Sequence, residues 1–280
     1  MLESLTLPGW LGQLPVISWL GQLPLINWLG RLPLISDPWF YAVAVPAVLL
    51  TGLSKSGFAT GFGSLATPLM ALTLPAPQAA AIMLPLLLAM DATGLQQLWR
   101  HRNAALVRHL LPWGVLGVGV GTLLFGVLSA KAVAGLLGAL TLGFLAQRLF
   151  STVHSDATPA PTWVGGAAAT VSGFTSFVAH AGGPPVIAYL LPMRMAPRVM
   201  SATMAVYVAA INAVKVVPYA ALGLMDIRNL ATSLLLLPLA PLGVWAGVWL
   251  VRRVSNRWFY GLAYIGMFLT GTKLLWDGLK

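Results

Sequence analysis

From Trp39 almost to its last residue this chain is a succession of apolar stretches, most of them long enough to cross a lipid bilayer. About 20 helical residues span a hydrocarbon core. Candidate segments fall at about 39–57, 64–77, 79–99, 109–128, 132–150, 162–179, 184–192, 197–222, 229–251 and 258–276. Only 8% of the residues are charged and 58% are hydrophobic, whereas a soluble domain carries about 25% charged residues. So few charges cannot wrap a water-soluble core. The pattern predicts an all-α polytopic membrane protein.

The net charge of +10 does not mark a nucleic-acid partner, because the basic residues are scattered through short gaps between apolar segments. RHRNAALVRH at 100–109, MRMAPR at 193–198 and VRRVSNR at 251–257 resemble the cytoplasmic loops of a membrane protein. Cysteine is absent, which removes disulfides, thiolate metal sites and redox pairs. The four histidines are dispersed and no carboxylate cluster occurs, so no metal site is expected. Without a P-loop or GxSxG there is no visible machinery for nucleotide or acyl hydrolysis. The expectation is a protein with no cofactor that is not an enzyme. Glu3 and an early proline also make the first residues unlike a secretory signal.

Four regions follow from the pattern. Residues 1–38 hold the nonapeptides WLGQLPVIS, WLGQLPLIN and WLGRLPLIS, running from Trp10 to Ser36. Nine residues advance a helix by about 900°, so the tryptophans alternate faces, and each proline interrupts a regular helix. This region reads as interfacial or accessory, or as a tandem duplication with little role. Residues 39–150 and 162–280 form two transmembrane repeats separated by a polar linker at 151–161. Ser56-Gly57-Phe58 matches Ser172-Gly173-Phe174, and Pro68 matches Pro184 at the same offset. Gly117, Gly121, Ser129 and Gly135 match Gly243, Gly247, Ser255 and Gly261 at a slightly larger one. Such an ordered series indicates internal duplication, common among transporters.

Each repeat opens on a stretch that breaks a helix: SGFATGFGSLATPLM at 56–70 and SGFTSFVAHAGGPPV at 172–186. If each broken region crosses once, the basic residues counted divide seven against six and fix no orientation. If each enters and returns as a hairpin, Arg100, Arg102, Arg108, Arg148, Arg194, Arg198, Arg252, Arg253 and Arg257 share one side. Arg31, Lys131, Arg228 and Lys280 remain opposite. Nine against four is a positive-inside asymmetry. It predicts inverted repeats in the inner membrane, each starting with a Gly/Pro-broken hairpin followed by three helices, with both termini outside the cytoplasm.

Irregular backbone at membrane depth is tolerated where protein covers it or a cavity adjoins it, so paired breaks point to a central binding site. Ser56, Gly57, Gly61, Gly63 and Ser64 in the first break, and Ser172, Gly173, Gly182, Gly183 and Pro184 in the second, are the candidate binding residues. Glycines let a ligand approach the backbone. A helix starting after a break presents free N–H groups suited to an anion, and Thr67, Thr175 and Ser176 add hydroxyls. Gly117, Gly121, Gly243 and Gly247 read instead as close-packing positions. Ionisable residues inside spans are functional candidates. Lys55 and Lys215 suit an anionic substrate, and His180 and Asn212, the latter on one helical face with Lys215, join the candidate binding residues. Asp91 and His180 are candidates for coupling to a proton or sodium ion. The competing readings are a snorkelling Lys55, an Asp91 merely paired with a lysine, a structural His180, and Asn212 as interhelical glue.

SGFATGFGSLATPLMALTLPAPQAAAIMLPL and SGFTSFVAHAGGPPVIAYLL resemble the sulfite exporter TauE/SafE family over roughly residues 40–276, and the HAGGPP motif is the more specific part. The resemblance implies a permease for small sulfur-containing anions such as sulfite, sulfoacetate or related organosulfonates. Its glycine-rich motifs fall on Gly57, Gly61, Gly63 and Pro68, and on Gly173, Gly182, Gly183 and Pro184. Where the family has a denser glycine run, this chain has Gly63-Ser64-Leu65-Ala66. The nonapeptides have no counterpart in the family. The expectation is a secondary transporter with alternating access. An anion channel, or an intramembrane enzyme using His180 and Asp91, are the alternatives.

Overall fold

The computed structural model describes residues 33–55, 63–150, 160–251 and 256–280, and does not cover the side chains of 64, 97, 148, 247–251 and 256–263. Residues 1–32 of the nonapeptide region and the linker positions 151–159 therefore lie outside the described residues. The described chain is helical without strands.

Eleven α-helices follow one another among the described residues: α1 Pro38–Lys55, α2 Gly63–Met70, α3 Ala76–Leu98, α4 Ala104–Val127, α5 Ala130–Phe150, α6 Thr162–Ala179, α7 Gly183–Leu190, α8 Pro197–Ala221, α9 Ile227–Leu236, α10 Leu239–Val251 and α11 Asn256–Leu279. Expected boundaries hold closely at most of them. The segment expected as one span at 229–251 is instead two helices meeting at a 40° bend. Pro238 stands in the turn between them, where its missing N–H and ring cannot continue α9. The segment expected over 64–77 is helical only through Met70.

Among the described residues, four helices are long and apolar enough to cross a membrane by length and composition, and the bent pair makes up to five. The distribution of side chains fits a lipid environment. Leu123, Val127, Phe150, Val217 and Trp245 point outward with most of their surface exposed, while Thr67, Asp91, Ser172, Asn212 and Lys215 are buried. Polar groups that have no water to meet must find partners inside the bundle.

Glycines set how closely helices approach. A Cβ on Gly117 would overlap the Thr170 carbonyl, and one on Gly121 would come within 2.9 Å of the Phe177 side chain, so α4 lies directly on α6. Gly52 and Gly243 do the same for α1 and α10, where a Cβ on Gly243 would stand 2.9 Å from the Leu49 carbonyl oxygen. Gly135 faces Gly278 and Gly271 faces Leu142, so α5 and α11 pack antiparallel. The small residues thus act as membrane packing positions. Together with α3 on α8, these are the principal helix pairs.

Helix directions are recorded by contacts at both ends. His109 Nε2 meets the Thr162 carbonyl oxygen at 3.1 Å and the Asn103 N–H donates to Thr203 Oγ1 at 2.9 Å. Toward the far end Phe125 stacks edge-on against Phe177, which in turn meets Tyr219. The three helices α4, α6 and α8 therefore run parallel. Between α6 and α8 the chain folds back: Gly182 abuts Ser172 and Ser176, and the Tyr189 ring of α7 lies against Gly165 near the start of α6. On the other side of the bundle α3 and α9 run parallel, linked by Gln78 to Asn229 at 2.9 Å and Ser233 to the Ile82 carbonyl at 2.8 Å.

Candidate functional site

The second break is a braced structure. α6 ends at His180, whose φ of 53° and ψ of 30° are left-handed, a conformation that costs a non-glycine residue roughly 1–2 kcal/mol. Neighbouring groups hold it there. The His180 N–H donates to the Ser176 carbonyl at 3.0 Å, and the Ala181 N–H to that of Thr175 at 3.3 Å. The Thr175 hydroxyl donates to the Ala181 carbonyl at 3.0 Å and the Ser172 hydroxyl to that of Gly182. Gly182 is required by space, since a Cβ there would stand 2.8 Å from that of Ser176.

This bracing changes what the break can offer a ligand. The hydroxyls of Ser172 and Thr175 are engaged locally. α7 begins with Gly183, Pro184 and Pro185, and prolines fit a first helical turn because they lack an N–H. The start of α7 is consequently poorer in donors than an ordinary helix N-terminus. Gly173 serves packing, because a Cβ there would overlap the Gly114 carbonyl of α4.

Charge gathers where the break meets α3 and α8. Lys215 is fully buried. Its ammonium donates to the Ser176 carbonyl at 2.9 Å, to Ser176 Oγ at 3.0 Å and to His180 Nδ1 at 2.7 Å. His180 Nε2 lies 2.8 Å from the Ala80 carbonyl oxygen. A carbonyl only accepts, so the proton sits on Nε2 and the Nδ1 lone pair faces Lys215. The imidazole is neutral in this arrangement and ties α3 to α8 through the end of α6.

Beside it, Asp91 of α3 receives two partners. Lys55, the last residue of α1, donates to Oδ1, and Asn212 Nδ2 donates to Oδ2 at 2.6 Å. Asp91 is 7% exposed and Lys55 23%, so Lys55 forms the rim of the cluster and Lys215 its interior. Asn212 and Lys215, three positions apart on α8, place both parts of the cluster on one helical face.

The remaining candidates divide as follows. Ser56, Gly57 and Gly61 lie outside the described residues, as does the side chain of Ser64. Gly63 opens α2 next to Ser54, with Thr67 and Pro68 buried further along that helix. The Thr67 hydroxyl is buried and has no hydrogen-bond partner among the described residues. A Cβ on Gly183 would make an ordinary contact, 3.8 Å from the Ile187 side chain.

Two contributors were not anticipated. One is the Ala80 carbonyl, to which no sequence pattern points. The other is Tyr219, whose hydroxyl donates to the Phe177 carbonyl at 2.7 Å and whose ring lies 6.2 Å from that of His180. Tyr207 likewise donates to the Ala169 carbonyl at 3.2 Å. Tyr207, Lys215 and Tyr219 fall on one face of α8 at multiples of four, a signal legible in the sequence.

No curated protein and no solved structure matches this chain. The model of the sulfite exporter TauE/SafE family matches residues 44–274. That stretch includes both Gly/Pro breaks, the Lys55–Asp91–Asn212 cluster and Lys215 with His180. This multi-pass membrane protein therefore belongs to the sulfite exporter TauE/SafE family.

Proposed function

We propose that the chain is a secondary transporter that moves a small sulfur-containing anion, such as sulfite or an organosulfonate, across the inner membrane by alternating access. The observation that carries this reading is Lys215. A fully buried ammonium held by a carbonyl, a hydroxyl and a neutral imidazole has no carboxylate bonded to it among the described residues, and buried charges are ordinarily paired. An anion supplied from outside completes the pairing.

The architecture proposed is two inverted repeats, 39–150 and 162–280, around the linker at 151–161. The pairing of helices supports it: α4 packs on α6 as α10 packs on α1, and α8 lies by α4 as α3 lies by α9. Each member of a pair exchanges with its counterpart from the other half. α6 and α8 run parallel with α7 turned back between them, which favours a re-entering hairpin. α3 and α4 are joined by only a few residues, so as successive spans they oppose one another; α4 parallels α8, which sets α3 against α8. Basic residues then place both termini outside the cytoplasm.

Substrate sits beside Lys215, with Lys55 and the Gly183 backbone nearby, and Asp91 or His180 couples its movement to a proton or sodium ion. Proteoliposomes test the reading directly. Saturable counterflow of labelled sulfite is expected with the natural chain and its loss with Lys215→Met. Undiminished flux in that variant overturns the lysine assignment, single-channel currents favour a channel, and chemically altered substrate favours an enzyme.

A further inference from the structure

At one end of the bundle two short connections come together. Residues 99–103 join α3 to α4, and residues 191–196 join α7 to α8. The turn Trp99–His101 packs against α8, and the Asn103 N–H donates to Thr203 Oγ1 of that helix at 2.9 Å. The connections carry Arg100, Arg102 and Arg194, with Arg198 at the start of α8. Between Asp91 and Asp226 the sequence holds a single acidic residue, Asp156, which lies outside the described residues.

Two details set this end apart from a merely basic rim. The Arg102 guanidinium lies 3.8 Å from the centre of the half-exposed Trp99 ring and donates to the Trp99 carbonyl, which fixes one cation against an aromatic face. Arg194 has φ 50° and ψ 35°, in the left-handed region that suits glycine. Among the described residues other than glycine, it shares a positive φ with His180 alone. Orientation in a membrane needs only a count of basic residues. It calls neither for a guanidinium clamped on a tryptophan nor for arginine at a glycine-like position. Strained backbone of this kind gathers at ligand sites.

We infer that this end of the bundle is a binding surface for the headgroup of an anionic phospholipid. The exposed Arg100, Arg194 and Arg198 meet its phosphate, to which a guanidinium can donate two parallel N–H bonds. Trp99 and Arg102 set the depth. The inference rests on the chain being a multi-pass membrane protein and is independent of the solute it carries. Length favours lipid over a soluble partner. The 24 residues of α4 make a helix of about 36 Å, which overhangs a hydrocarbon core of about 30 Å by only ~3 Å at each end. Connections this short stay within the headgroup layer. Trp163, largely exposed, opens α6 at the same end, where His109 of α4 meets the Thr162 carbonyl, and exposed tryptophans favour that layer. Clustered basic residues beside membrane helices recognise anionic headgroups there.

Thermal unfolding of the full-length protein in detergent tests this, with phosphatidylglycerol or phosphatidylcholine of identical acyl chains added. Phosphatidylglycerol is expected to raise the melting temperature by about 3–5 °C more than phosphatidylcholine. The triple variant Arg100→Gln, Arg194→Gly, Arg198→Gln is expected to lose at least half of that difference, and Arg194→Gly alone a part of it. Glycine suits the left-handed backbone at 194, so the single variant keeps the fold. Lys131→Gln, exposed at the start of α5 and so at the opposite end, is expected to keep the full difference. Equal shifts with the two lipids overturn the inference, as does a full difference in the triple variant. Glycerol 3-phosphate reproducing the shift without lipid assigns the arginines to a soluble anion and overturns it too.

Discussion

Asn212 of α8 donates its side-chain amide to Asp91 of α3 at 2.6 Å, and the two residues stand at the same depth in their helices. From Ala76 to Asp91 and from Pro197 to Asn212 is the same fifteen steps. The bond thus joins points equally far from the starts of the two helices. Asp91 uses its other oxygen for Lys55 of α1. Three helices meet at one carboxylate, so relative sliding of α3 and α8 cannot occur without disturbing a charged bond. This couples the geometry of the bundle to the charge state of the centre.

Removing that carboxylate is expected to be costly. Asp91→Ala leaves Lys55 without its counter-charge and Asn212 without its acceptor, a loss of about 3–5 kcal/mol for a broken buried pair. Asn212→Leu, which strips one hydrogen bond to a charged group, is expected to cost about 1.5–3 kcal/mol. Thermal unfolding in detergent orders the two. Equal melting temperatures for Asp91→Ala and the natural chain would show that the pair is not formed.

Much of the helical framework was legible in the sequence, because apolar runs and proline or glycine breaks act locally. α6 begins and ends where its composition changes, at Thr162 and before His180. The partners inside the site were less accessible. Helical spacing put Asn212 and Lys215 on one face, yet it could not say that Ser176 and the Ala80 carbonyl would complete the network. Those contacts depend on which helices become neighbours. Ser172 and Thr175 looked like hydroxyls for a ligand but are used to brace the break, since a chain leaving α6 exposes carbonyls that need donors. The split between α9 and α10 was written in Pro238, and the apolar residues on both sides concealed it.

The close approach of α4 and α6 depends on glycine at two positions facing one another. Gly173→Val is expected to separate the helices, because even the first added carbon would overlap the Gly114 carbonyl. Overpacking of this kind costs about 1–3 kcal/mol. Gly183→Ala, whose added carbon meets only Ile187 at an ordinary contact distance of 3.8 Å, is expected to leave the melting temperature within about a degree or two of the natural value. A Gly173→Val protein that melts with Gly183→Ala would contradict the packing.

Topology can be read out by labelling, because the chain has no cysteine of its own. Single cysteines at Ala104 and Ala196 stand at the starts of α4 and α8, which share one end of the bundle through the Asn103–Thr203 bond. Both are expected to react with a membrane-impermeant maleimide from the cytoplasmic side only. A cysteine at Gly223, beyond the far end of α8, is expected to react from the opposite side. Labelling of 104 and 196 from different faces would exclude the parallel arrangement of α4 and α8.

Thr67 offers a way to separate binding from folding. Its hydroxyl is buried and has no hydrogen-bond partner among the described residues, and a group left so destabilises the fold by about 1–3 kcal/mol relative to a satisfied one. Thr67→Val keeps the shape and removes the unsatisfied oxygen, so a melting temperature at or above the natural one is expected. If the hydroxyl meets substrate when the site is occupied, the same variant binds methanesulfonate about tenfold more weakly, the consequence of losing about 1.4 kcal/mol. Stability and affinity then move in opposite directions, which a packing role for Thr67 cannot produce. A variant that melts lower and binds equally well assigns Thr67 to packing alone.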